Sequence, residues 1–492
     1  MKRRTRTLAS VATLVKQTGL LAGILVYTGC AVGPRYSRPS VVVPSNFKES
    51  GSWKAAQPGD QESRGKWWEV FGDHQLNALQ EQVGLSNQTL KMAEARFRAA
   101  RASVRFARAG HYPTVQAGAD ITHNRISSNR ATLPASASSS YTNYLLPVDL
   151  SYEMDAWGRV RRTVEGSRAA AQASAADLET IRLALHAELA VNYFALRGLD
   201  AESELLDSTV AAFRRALELT QNRHRGGVAS QVDVSQAETQ LQTTLAQATD
   251  ISVHRAQFEH AIAVLAGEPP ATFTLPTSPL KSPPPSLPAS LPLELLERRP
   301  DIAAAERRVA AANARIGIAK AAYFPSLMIG VLGGVESRDA ASLFSWPSRL
   351  WSLGPTAIVT AFDGGRRRAV SEEAKAVYDE TVANYRETVL SAYQEVEDNL
   401  AALRILEEEA RTQEAAVAAA KRSVELATNR YKGGVVTYLE VVTNQSTALA
   451  NERLAVNILE RRLTASVNLV KALGGGWSIS RLPSGAEISS AK

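Results

Sequence analysis

The chain is the same unit written twice. At a constant offset of 207 residues, Gly158-Arg159 answers Gly365-Arg366 and Glu165 answers Glu372; Glu188, Asn192 and Leu196 answer Glu395, Asn399 and Leu403. Asn222-Arg223 answers Asn429-Arg430, Gly226-Gly227-Val228 answers Gly433-Gly434-Val435, and Gly267 answers Gly474, all without a gap. Upstream the offset is 212: Leu90 matches Ile302, Glu94 matches Glu306, Ala102 matches Ala314, and Tyr112-Pro113 aligns with Phe324-Pro325. The slip falls between Pro113 and Gly158, so the first copy has the longer loop there. A duplicated structural unit predicts two halves with the same order of elements.

Each half opens with an Ala/Arg/Glu-rich helix, roughly 75–110 and 300–322, closed by Pro113 or Pro325. Alternation of period two follows. Val115, Ala117, Ala119 and Ile121 oppose Thr114, Gln116, Gly118, Asp120 and Thr122; Val148, Leu150, Tyr152 and Met154 oppose Asp149, Ser151, Glu153 and Asp155. The second half repeats this with Leu327, Ile329 and Val331, then Leu353, Ala357, Val359 and Ala361. The pattern predicts four strands of about ten residues in two hairpins, 113–157 and 325–363. Long helical runs come next. Residues 158–222 hold no proline and, past the start, only Gly166 and Gly198; residues 366–432 hold neither proline nor glycine. About 65 residues at 1.5 Å rise give a helix near 100 Å, a coiled-coil length. The double glycines stop these helices as residues allowed left-handed backbone, and return helices follow over about 230–266 and 437–473. Val442, Leu449, Val456, Leu463 and Val470 mark a seven-residue seam in the second.

Alternating strands of ~9–11 residues suit a tilted membrane barrel. Tyr112, Tyr144, Trp157, Tyr323, Phe324, Trp346, Trp351 and Phe362 gather near their ends as an interfacial girdle would. Four strands cannot close, and an open edge in hydrocarbon leaves backbone groups unpaired at several kcal/mol each. Strands in a membrane therefore require several chains to share one barrel. Soluble hairpins are the other reading of the same alternation, and a soluble helical rod is the other reading of the helices.

The first 29 residues carry Lys2, Arg3, Arg4, Arg6 and Lys16 and no acid, then an apolar stretch and small residues. That is the layout of a secretory signal. The net charge of +7 belongs mostly to this leader; without it 51 basic residues face 49 acidic ones, a balance of +2. A mature chain so nearly neutral, with no basic block, excludes nucleic acid as an expected partner. The single cysteine, Cys30, excludes an internal disulfide. Leu25-Val26-Tyr27-Thr28-Gly29-Cys30 resembles a bacterial lipobox, which implies cleavage before Cys30 and its acylation. Ala31 in place of Asp implies sorting to the outer membrane. The expected division is 1–29 signal peptide, 30–74 lipid-anchored segment, 75–267 first repeat with helical hairpin 158–267, 268–292 Pro/Ser-rich linker, 293–476 second repeat with helical hairpin 364–473, and 477–492 tail.

With these features in order, the sequence resembles the TolC-type outer membrane factors, and closely their OprM/NodT lipoprotein branch. The resemblance rests on Cys30-Ala-Val-Gly-Pro-Arg-Tyr36, Trp67-Trp68, Phe71-Gly-Asp, Leu295-Leu-Glu-Arg-Arg-Pro-Asp-Ile302, Ala319-Lys-Ala-Ala-Tyr-Phe-Pro-Ser326, Phe362-Asp-Gly-Gly-Arg366, Arg430-Tyr-Lys-Gly-Gly434 and Lys471-Ala-Leu-Gly-Gly-Gly-Trp477. It implies a mainly helical chain with membrane strands. Three copies would make a twelve-stranded β-barrel over an α-barrel of antiparallel helical hairpins. The implied partners are a homotrimer, a periplasmic adaptor, an inner-membrane pump of the resistance-nodulation-division class and outer-membrane lipid. The implied role is a passive efflux conduit. A type I protein-secretion duct and a pore-less lipid-anchored coiled coil are the alternatives, and the exported substrate is open.

No catalytic constellation stands out: HExxH, P-loop and GxSxG patterns are absent, and His254 and His260 share no helix face well. No cofactor is expected beyond lipid on Cys30. Asp233 and Glu440 occupy the same repeat position just past the double glycines. In the resembling family that turn is a periplasmic tip where acids narrow the channel. Glu440 matches the first acidic position; the second falls on Thr443. Tyr431 matches an aromatic of the closing contacts, and Val436 stands where the family can carry an arginine. Like charges repeated around a narrow axis repel one another and attract cations. Glu440, Asp233, Tyr431 and Thr443 are thus the constriction candidates. Gly226, Gly227, Gly433 and Gly434 are the candidates for adaptor docking, since small residues let helices approach.

Overall fold

A computed structural model of the chain describes residues 31–50, 65–127, 140–280, 283–285 and 295–490. The signal segment, Cys30 and part of the Pro/Ser-rich stretch lie outside these.

The expected leading helix of the first half is two helices, α1 (His74–Ser86) and α2 (Gln88–Ala109). Asn87 makes the break. It ends α1 in extended conformation, and its side-chain oxygen accepts from Leu90 N at 3.0 Å to start α2. Its amide also donates to Leu265 O at 2.8 Å. The first strand is likewise split, into β1 (Thr114–Ala117) and β2 (Asp120–Arg125), both antiparallel to β3 (Ser140–Met154) in one unbroken register. Pro147 on β3 is the cause. It accepts from Gly118 N at 3.0 Å but has no N–H to return. The second half supplies β4 (Ser326–Ser337) and β5 (Arg349–Ile358), which ends short of the expected Val359 and Ala361. All pair into one antiparallel sheet in which β3 adjoins β4, so the two hairpins form a single four-deep ribbon.

Register sorts the ribbon's faces. Val115, Leu150, Val331 and Leu353 stand side by side across the four strands, and the next row on that face is Ala117, Val148, Gly333 and Trp351. Between them runs Gln116, Asp149, Leu332 and Ser352 on the other face. One face is apolar and the other largely polar, as a sheet between lipid and water requires. Trp351 and Leu353 are 80% and 66% exposed in the single chain.

Below the sheet hang two helical hairpins: α3 (Arg159–Arg225) with α4 (Gln231–Ala266), and α6 (Arg366–Lys432) with α7 (Tyr438–Ala472). Each 67-residue helix is about 100 Å long. The leading helix of the second half, α5 (Pro300–Ala321), packs along α3. No helix among the described residues is long and apolar enough to cross a membrane. Around the middle the packing is dense. Trp67, Trp68, Leu76, Leu189, Tyr193 and Ile262 form one core, and Ile302, Val309, Tyr385, Val389, Leu400 and Leu469 another. Buried Asp200 accepts from Arg197 and Arg255 at 2.8 Å each and from Ser278 N at 2.9 Å, tying the first hairpin to the segment after it. Residues 31–50 run along α5 and α6: Val32 N donates to Trp157 O at 3.0 Å, Asn313 donates to Pro34 O at 3.2 Å, Arg38 donates to the Tyr385 hydroxyl at 3.1 Å, and Phe47 is buried beside Tyr393. The residue after Cys30 therefore lies where sheet gives way to helix.

Candidate functional site

The far ends of the two hairpins carry the candidate site. Both double-glycine turns have the same construction. Val228 N bonds Arg223 O at 2.9 Å and Gly227 N bonds His224 O at 2.9 Å; Val435 N bonds Arg430 O and Gly434 N bonds Tyr431 O, each at 3.0 Å. These paired bonds satisfy the orphan carbonyls of a helix end. Only the second glycine of each pair is left-handed, at φ 74° for Gly227 and 75° for Gly434. Gly226 and Gly433 have φ −81° and −75°, which any residue adopts. The expectation that both glycines serve as left-handed stops is corrected to one of each pair.

The two acids at the shared repeat position have diverged. Asp233 belongs to a capping box: its carboxylate accepts from Ser230 N at 2.9 Å and from the Ser230 hydroxyl at 2.8 Å, while Ser230 Oγ accepts from Asp233 N. Thr437, in the place of Ser230, makes no such side-chain cap. Glu440 is therefore available to Arg430, which donates to it at 2.8 Å with both side chains partly exposed. Thr443 is exposed, and its hydroxyl bonds back to Leu439 O at 2.9 Å.

Tyr431 is buried, with its ring 5.2 Å from Tyr438 in an edge-on contact and Ala237, Ala427 and Val441 around the pair. Burial pushes the Tyr438 phenol up to about 12. Arg223 of the first hairpin reaches across, its guanidinium 4.7 Å from the Tyr431 ring and donating to Lys432 O at 3.1 Å. The hairpins are thus fastened at their tips by an arginine the sequence reading did not single out. The repeat held the signal. Arg223 and Arg430 are equivalent, but Tyr431 and Tyr438 answer His224 and Gln231, so the aromatic seat exists once and only one arginine can use it. Val436 is half-buried against this cluster. A groove of about 390 Å³ beside the tip is lined by Gln231, Val232, Ser235, Gln236, Thr239, Gln240 and Val442, small or polar groups from α4 and α7.

Comparison with known proteins bears on the chain as a whole. A family model described as outer membrane efflux protein matches residues 79–268 and 291–475. The chain is 31% identical over 451 residues to a probable efflux pump outer membrane protein, TtgC, of Pseudomonas putida, covering 91% of this chain and 93% of that one. It is 29% identical to a pyoverdine export outer membrane protein, OpmQ, of Pseudomonas aeruginosa, covering 95% and 98%. Among solved structures, the outer-membrane channel OprN superposes with a TM-score of 0.85 at 30% identity, over 91% of this chain and 100% of that one.

Proposed function

The chain belongs to the outer membrane efflux protein family, and from that membership we propose how its geometry makes and guards a channel. It is the outer-membrane component of an efflux pump, working with an adaptor and an inner-membrane pump. The observation that carries the channel reading is the ribbon of four strands with apolar rows on one face, polar residues on the other, and two ~100 Å hairpins beneath it. Two copies would give eight strands, a barrel whose interior side chains fill. Three copies give twelve, which leaves water inside. The trimer's strands then span the outer membrane and its hairpins line a periplasmic tunnel.

At the tunnel's end, three copies of Glu440 favour cations, offset in part by Arg430 at each site. The Arg223 clasp on Tyr431 holds neighbouring hairpins together there. Thr443 contributes only a hydroxyl, so the ring of charge is single. Asp233 acts through its cap. The tips at Gly226, Gly227, Gly433 and Gly434 receive the adaptor, and the pump behind it is of the resistance-nodulation-division class. Acyl chains on Cys30 enter the periplasmic leaflet, because residue 31 lies at the base of the sheet. The test is ion conductance of the full chain in planar bilayers. A trimer should conduct with a cation preference, and Glu440→Gln should weaken that preference. A trimer that passes no ions ends the channel reading, and unchanged selectivity in the variant removes Glu440 from the constriction.

A further inference from the structure

Where sheet gives way to helix, a recess of about 370 Å³ is walled largely by cations. Arg161 and Arg168 of α3, Arg307 of α5, His111 past the end of α2 and Tyr36 of the 31–50 segment line it. It lies over α3 and α5, the two middle helices of the layer α2, α3, α5 and α6. The 31–50 segment leads back to Cys30, whose acyl chains must reach lipid, so this side of the layer faces away from the duct. Ala31 packs on Gly158, its Cα 2.9 Å from where a Cβ would stand, and Arg161 follows within one turn.

Aromatic residues give the depth. Tyr112, Tyr323 and Phe324 are 68%, 44% and 40% exposed, and Phe324 stacks on Trp157 at 4.8 Å. Such rings collect at the level of lipid headgroups. His111 adjoins Tyr112, and Arg161 comes four residues after Trp157. Arg168 lies about 10 Å farther down α3. The recess therefore opens at the headgroup layer and runs away from the sheet.

Its charges are unevenly matched. Arg161 donates to Asp155 at 3.1 Å, Arg307 to buried Glu306 at 2.6 Å, and Glu165 in the lining accepts from Arg162 at 2.8 Å. Arg168 has no carboxylate partner among the described residues; its Nε donates to the Ser489 hydroxyl at 3.2 Å. Arg108 of α2, also without a carboxylate among the described residues, donates to Ser489 O at 2.8 Å. Ser489, in the short C-terminal helix Gly485–Ser490, thus draws two guanidiniums together. Like charges held close in a half-buried place are stabilised by an anion from outside. The first turns of α3 and α6 strengthen the field: each holds three arginines and no acid, the reverse of what a helix dipole favours.

Resting on the membrane placement above, we propose that this recess seats the headgroup of an anionic phospholipid from the periplasmic leaflet. Arg168 gives the phosphate paired N–H donors, the contact a guanidinium makes best. Arg108 adds a second positive charge beside it. The lipid's acyl chains leave past Tyr112 and Phe324 toward the sheet, next to those on Cys30. One bound lipid then touches the 31–50 segment, α3 and α5 at once.

Native mass spectrometry of the full acylated chain in detergent, titrated with phosphatidylglycerol or phosphatidylcholine, tests the site. The protein should retain one phosphatidylglycerol per chain at concentrations where it retains little phosphatidylcholine. Arg168→Gln should weaken that retention about tenfold, and Arg168→Lys, which keeps the charge, should lose less. Arg108→Gln leaves the walls of the recess intact and should shift binding in the same direction by a smaller factor, which serves if Arg168→Gln fails to assemble. Arg214→Gln, far down α3, should change nothing. Equal retention of the two lipids, or retention unchanged in both Arg168→Gln and Arg108→Gln, overturns the site. Displacement of the lipid by excess inorganic phosphate makes the recess a site for free phosphate and overturns the lipid. The recess lies within one chain, so the two readings fail separately. A conducting trimer without lipid preference sinks the site alone, and a monomer that retains phosphatidylglycerol sinks the trimer alone.

Discussion

At each tip the second glycine sits at positive φ and the first does not, and this separates two roles that adjacent glycines usually confound. Gly434→Ala forces a left-handed alanine and should cost about 1–2 kcal/mol of helix-end stability. Gly433→Ala has ordinary backbone and room for the methyl, so thermal unfolding should change little. If Gly433→Ala nonetheless abolishes export from cells, the glycine serves docking; normal efflux removes it from that role. A second residue with two states is Glu460. Burial raises its carboxyl to about 7, and Glu202, itself paired with Arg453, adds repulsion. A pKa above the ordinary value means the fold prefers the protonated acid. Its contribution to stability is complete below about pH 4.5 and is lost as pH rises through 7. Glu460→Gln keeps the neutral shape, so its melting temperature should be flatter between pH 5 and 8 than that of the parent. An equal slope in both proteins would assign the pH dependence elsewhere.

Among the elements, the sheet shows how a register turns weak sequence alternation into two distinct surfaces. Leu353 belongs to the row Val115, Leu150, Val331 and Leu353, and its neighbour Ser352 to the opposite face. Leu353→Arg puts a charge toward lipid, at a cost of about 2–4 kcal/mol if the row is near the bilayer midplane. Ser352→Arg points into water and should be tolerated. Heat-modifiable migration of the two variants on gels distinguishes them; equal behaviour would mean that the apolar face does not meet lipid. The helices are held by different means. Small side chains let α3 and α5 approach closely near the sheet, the buried Asp200 cluster ties the middle, and the Arg223 clasp fastens the end.

For the whole molecule, the proposed function makes the chain a duct, whose contribution is a wall and a field. On the proposed constriction, the sign of that field is set by Arg430 and Glu440, which lie 2.8 Å apart in the chain. Arg430→Ala removes the offsetting charge and should raise cation selectivity in planar bilayers, opposite in direction to Glu440→Gln. A shift of both variants in the same direction would show that the pair acts through shape instead of charge.

The duplicated pattern, the hairpin count and the helix lengths were all legible in the amino-acid order, because they depend on local periodicity and on where proline and glycine fall. Four strands that cannot close alone already implied partners of the same kind. The breaks at Asn87 and Pro147 were less legible: each depends on which backbone group lies opposite. Tertiary structure alone decided how equivalent residues part company. Asp233 turns inward to cap a helix while Glu440 meets an arginine, since Ser230 offers a reciprocal cap and Thr437 does not. Arg223 crosses between hairpins because the aromatic pair exists on one side only. A linear pattern records which residue types recur; the choice among competing partners is made in space, by distance and by what each neighbour already holds.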